Sequence, residues 1–141
     1  MGLQERLGDI LEGVLPVTRE DDGAVTVHHD ETFASLRTVP VAEGLELVSL
    51  TQILAWDLPL DAKLRASVAE HAHNTLLGTV SLAAKSGDKQ VAAGARRNSK
   101  KSADVLLRYN FPAAGLTDDA LRTLILMVLA TGAEVRRALV G

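Results

Sequence analysis

The residues with the best claim to chemistry are His28 and His29, which stand directly before Asp30 and Glu31. Nitrogen and oxygen donors in such a cluster suit a divalent metal, and a metal-dependent enzyme using His28 and His29 is one reading of it. Adjacent strand residues point to opposite faces, however, so the two imidazoles reach one ion only if the turn redirects one of them. A solvated turn is the simpler reading, and no metal or other cofactor is expected. The other two histidines, His71 and His73, are two apart on an expected helix. They project about 200° apart and cannot chelate together. The zinc-protease helix carries histidines four apart with a glutamate after the first; here Glu70 precedes His71.

Nucleophilic catalysis finds no frame either. There is no cysteine and no Gly-x-Ser-x-Gly elbow. Gly87 and Gly94 are isolated and lack the Gly-Lys-Ser/Thr ending of a phosphate loop. Asp21-Asp22 and Asp118-Asp119 are explained as a turn and a helix start. No catalytic residue is assigned, and a non-catalytic protein is expected.

Residues 85–104 are the remaining candidate. They hold Lys85, Lys89, Arg96, Arg97, Lys100 and Lys101 against Asp88 and Asp104, so six basic residues against two acidic ones leave a local charge of +4. Gly and Ser within the stretch suggest a mobile, solvated hairpin loop. The functional alternative is a regulatory domain whose arm touches an acidic partner or an anionic ligand through Arg96, Arg97, Lys100 and Lys101. Nucleic acid is disfavoured as that ligand. The chain has a formal net charge of −3 and only 3% aromatic residues, whereas phosphate contacts call for a basic surplus and single strands for stacking platforms.

These residues need elements to position them. A chain of 141 residues suits one domain over 1–141, large enough to bury a core without metal or disulfide. Leu3, Leu7, Ile10, Leu11 and Val14 recur at helical spacing and predict a helix over 3–14, stopped by Gly13 and Pro16. Strand-like runs follow at 25–28, 32–39 and 45–56, with turns at His29-Asp30-Glu31 and Glu43-Gly44. In the third run Leu45, Leu47 and Ile53 alternate with Val48, Leu50, Leu54 and Trp56. Both faces are then apolar, so the strand is central or its second face meets a partner. Asp61 caps a helix over 61–76, strands follow at 79–84 and 105–111, and Thr117 opens a helix over 117–139. The expected fold is α+β, an antiparallel sheet of about five strands in the order helix, three strands, helix, two strands, helix.

In the last helix Leu121, Leu124, Ile125, Val128, Gly132, Val135 and Leu139 form one stripe. Leu126, Leu129 and Ala133 widen it on one flank, beyond the face that a helix lying on a sheet requires. That flank must meet another helix of the chain or a second subunit, and a homodimer through Leu126, Leu129 and Ala133 is expected. The first residues lack the basic-then-apolar run of a signal peptide. No apolar run approaches the roughly 18 residues of a bilayer span. A cytoplasmic protein without a membrane partner is expected.

Three stretches carry a family resemblance. One is Leu45-Glu46-Leu47-Val48-Ser49-Leu50-Thr51-Gln52-Ile53-Leu54-Ala55-Trp56-Asp57-Leu58-Pro59, a strand running into a Leu-Pro helix start. The second is Asn74 before Gly78, and the third is Val105-Leu106-Leu107-Arg108-Tyr109-Asn110-Phe111-Pro112-Ala113-Ala114-Gly115-Leu116-Thr117. With the element order, they resemble the YbjN-like proteins of bacteria, a branch of the type III secretion chaperone fold, over most of the chain beyond residue 24. The resemblance implies a chaperone-like fold and a module that binds a segment of a protein partner, commonly as a homodimer. It supplies no catalytic residue. An Ala-rich, Arg-over-Lys composition fits a bacterial source.

Overall fold

The computed structural model describes residues 2–85 and 101–140. In chain order these form α1 (Leu3–Glu12), β1 (Val17–Arg19), β2 (Val25–His29), β3 (Thr32–Ala42), β4 (Leu45–Pro59), α2 (Ala62–Asn74), β5 (Thr79–Lys85), β6 (Ser102–Pro112) and α3 (Asp118–Val140). The fold is α+β. Its six strands make one open antiparallel sheet in the order β1-β2-β3-β4-β6-β5. No helix among the described residues is long and apolar enough to cross a membrane.

The central place of β4, between β3 and β6, accounts for its apolar alternation. Val48, Leu50 and Leu54 are fully buried and join Leu36, Val105 and Leu107 of the neighbouring strands in one core. Leu121, Ile125 and Val128 of α3 close that core, with Leu7 and Leu11 of α1 beside them. Each such side chain contributes about 1.5–3 kcal/mol by leaving water. The helix starts follow from hydrogen-bond chemistry. Asp61 Oδ1 accepts from the Leu64 N–H at 2.8 Å, and Thr117 Oγ1 accepts from the Ala120 N–H at 3.1 Å, each satisfying an amide that has no partner within its helix.

The structure departs from the expected order in three places. A sixth strand, β1, precedes the three expected before α2. Three residues behind Pro16 are too few to show a period; pairing with β2 and a side-chain clamp make them a strand. The Arg19 guanidinium lies across Gly8 and reaches Asp9 and Glu12 of α1, both at 2.7 Å. These contacts hold the guanidinium even more firmly protonated than usual, chiefly through the Glu12 hydrogen bond.

Second, the polar stretch after β5 is partly strand. Lys85 pairs with Ser102 and Ala83 with Asp104 at the ends of the β5–β6 ladder. Third, Leu129 and Ala133, expected at a dimer interface, are 0% and 2% exposed within the single chain, while Leu126 is half-buried. The wide apolar flank of α3 is therefore covered within the chain, where α3 touches α1, α2 and the sheet. It needs no second subunit at Leu129 or Ala133.

The side chain of Gln52 enters this core from β4. It is 0% exposed and donates to Thr32 Oγ1 at 2.9 Å and to the Leu129 carbonyl at 3.1 Å. Its Oε1 has no partner among the described residues. Gly132 lies directly against its carboxamide.

The β2–β3 hairpin turns through Asp30 and Glu31, with φ of +46° and +40°. A type I′ hairpin loop demands positive φ at both positions, a conformation that Gly and Asn accept and Glu disfavours. Arg137 and Arg136 at the end of α3 face the two carboxylates at 3.6 and 3.4 Å, but exposed ion pairs of this kind contribute little. Glu31→Gly should therefore stabilise the fold by about 0.5–1 kcal/mol. Thermal unfolding checks this, and a lower Tm would show that the Arg136 contact outweighs the backbone strain.

Candidate functional site: the bare face of the sheet

Among the described residues all three helices pack on one face of the sheet, so the alternate residues of every strand form a face that none of these helices covers. Ladder partners share a face, and the register therefore reads out row by row. One row runs His28, Phe33, Ile53, Leu106 and Ser81 from β2 to β5. Two residues along, Thr18, Thr26, Ser35, Thr51, Arg108 and Thr79 cross all six strands. Arg37, Ser49 and Asn110 form the next row, and Val39, Leu47 and Pro112 the last. Two apolar rows thus flank two polar ones. Phe33 is 42% and Val39 40% exposed, and Ile53, Leu47 and Leu106 stand half-buried outside the core cluster.

Among the described residues this face carries three basic side chains, Arg37, Lys85 and Arg108, with different surroundings. Arg37 meets Asp22 at 2.7 Å. The Ala24 N–H first, and then the Arg37 guanidinium, hold the Asp22 carboxyl below its usual range. Lys85 meets Asp57 at 2.5 Å and Asp104 at 3.1 Å, and lies 5.9 Å over the Trp56 ring. Hydrogen bonds to Asp57 and then Asp104 push its ammonium above the ordinary lysine value. Arg108 makes no ion pair among the described residues. It lines an open depression of about 530 Å³ with Gly78, Thr79, Ser81, Tyr109 and Asn110.

The histidine cluster separates as strand geometry requires. His28 stacks edge-on against Phe33 on the bare face, with ring centroids 4.6 Å apart. His29 lies in the alternate direction, with Nε2 3.8 Å from Asp30. Among the described residues no three His, Asp or Glu side chains converge on a point that could hold a metal. His71 and His73 lie in the last turn of α2.

Of the basic residues expected to contact an anion, Arg96, Arg97 and Lys100 lie outside the described residues, as does the body of the expected mobile loop. Lys101 is exposed, and its carbonyl accepts from the Leu60 N–H at 3.1 Å. Arg108 is absent from the residues that sequence reasoning selects. Its signal is parity: Val105, Leu107 and Phe111 face the core, so Arg108 must face away with Leu106 and Asn110. Comparison with protein-family models, with curated proteins and with solved structures finds no match.

Proposed function

We propose that this protein is a non-catalytic binding module, of type III secretion chaperone-like and YbjN-like fold, that takes a segment of a protein partner on the bare face of its sheet. The carrying observation is the apolar row of exposed Phe33 and half-buried Ile53 and Leu106 on the face opposite the helices. An apolar row on an uncovered sheet is retained most readily where something covers it in use. The alternation of apolar and polar rows keeps the face soluble while it is empty. The order of helices and strands, with α2 between β4 and β5 and α3 last, accords with the chaperone-like reading.

Selection from a library of displayed peptides tests the proposal. Peptides that bind the wild type should lose at least about tenfold in affinity for Ile53→Glu, since a carboxylate would have to be buried against apolar side chains. The variant should melt as the wild type does, because position 53 faces away from the core. Equal binding to both proteins would sink the reading. Sedimentation identifies the other occupant: a wild-type dimer that Ile53→Glu makes monomeric would give the face to a second copy.

A further inference from the structure

We propose that the partner segment presents a carboxylate to Arg108, about 7 Å from an apolar side chain of the same segment that lies on Leu106 and Ile53. This rests on the bare face being the binding surface. The three basic groups on that face supply the argument. Arg37 and Lys85 are already paired with Asp22, Asp57 and Asp104, so of the three basic groups described on that face only Arg108 is left for an incoming group. Its ladder partners are Thr51 on β4 and Thr79 on β5. Hydroxyls on both sides can donate to an oxyanion without competing for the guanidinium as a carboxylate neighbour would. The depression around it adds Ser81 and Asn110 as further donors and no acidic residue.

The second contact fixes the spacing. Leu106 and Arg108 point the same way along β6, about 7 Å apart. An extended segment presents its own residues i and i+2 at that distance, and a helix its residues i and i+3 or i+4 at a slightly shorter one. The recognition unit is therefore an apolar residue paired at short spacing, in either order, with Asp or Glu. A guanidinium also takes phosphate, but a single unpaired cation on this face among the described residues, set between apolar rows, suits a single carboxylate better than a polyanion, which needs several cations in line.

The test is selection from the same displayed library on wild type, Arg108→Gln and Arg108→Glu. Peptides from the wild-type pool should pair an apolar residue with an acid and should bind Arg108→Gln about tenfold or more weakly, the loss expected for a charge-assisted hydrogen bond. Arg108→Glu should select Lys or Arg where the wild type selected the acid. Changing that acid to Lys in one synthetic peptide should restore its binding to Arg108→Glu. Pools that depend on Ile53 but show no preference for acid, or no change on charge reversal, overturn the carboxylate anchor and leave the bare-face reading standing. Pools indifferent to Ile53 overturn that reading itself. A single-stranded oligonucleotide that binds through Arg108 with a steep salt dependence, where no peptide does, would overturn the assignment to a protein partner. All three proteins should give the same melting profile, since Arg108 is exposed.

Discussion

Gly132→Ala is expected to lower the stability of the fold by about 3 kcal/mol, although alanine ordinarily improves a helix interior by about 0.5–1 kcal/mol over glycine. The reversal comes from one neighbour. A Cβ at position 132 would overlap the Gln52 carboxamide. That amide cannot retreat without giving up its bonds to Thr32 and to the Leu129 carbonyl, and a fully buried polar group that loses its partners costs about 1–3 kcal/mol. The same geometry predicts the rescue. Gln52→Ala empties the space and removes a buried oxygen that has no partner among the described residues, so Gly132→Ala placed on top of it should be neutral or mildly stabilising. Denaturant unfolding of the four proteins in the cycle should give a coupling of about 3 kcal/mol, at the upper end for residues in contact. If Gly132→Ala is as harmful without Gln52 as with it, another contact sets the glycine.

The same pair shows how far the sequence can be read. The α3 stripe places Leu121, Leu124, Ile125, Val128, Gly132, Val135 and Leu139 on one face; five of them are buried, and Leu124 and Leu139 are half-buried against the core. It also counts Gly132 as a passive member, because a one-dimensional pattern cannot show what approaches a glycine. Alternation in β4 sets Leu47 and Ile53 against Val48, Leu50 and Leu54, and the faces divide that way. Trp56 belongs by parity with the buried set, yet it is 53% exposed. Register shifts on either side of Ala55 turn it out, and a bulge is a property of two strands that one strand does not announce. The flank of α3 is legible as apolar but not as covered, since what covers it lies far away in sequence. The bare face is half legible. The second apolar face of β4 is legible as that of a central strand or of one that meets a partner, but Arg108 emerges only once the ladder puts Thr51 and Thr79 on either side of it.

Asp104→Ala should destabilise the fold by about 2–3 kcal/mol, and its effect should be visible at Trp56, the sole tryptophan of the chain. The β4 bulge carries Asp57 at φ +53°, a conformation that non-glycine residues rarely adopt. Its N–H donates to Asp104 Oδ1 at 3.0 Å, the Asp104 side chain being 12% exposed. Alanine would leave that amide without its acceptor and Lys85 with one carboxylate instead of two, and hydrogen bonds to charged groups contribute about 1.5–3 kcal/mol each. Asparagine at this position keeps the acceptor and loses the charge, so Asp104→Asn should fall between wild type and Asp104→Ala. The pH dependence separates the two contributions. Hydrogen bonds to Asp57 and then Asp104 raise the Lys85 ammonium above its ordinary value. A group raised in the folded state stabilises below its unfolded value, about 10.4 for lysine, and loses that effect as pH climbs through the higher folded value. Wild-type stability should therefore decline on the alkaline side beyond about pH 10, more steeply than that of Asp104→Asn. Over the same range Trp56 emission should change in the wild type as the ammonium over its ring discharges. Parallel alkaline limbs would mean that the bulge is held by the amide bond to Asp104 alone, with Lys85 only screening the two carboxylates from each other.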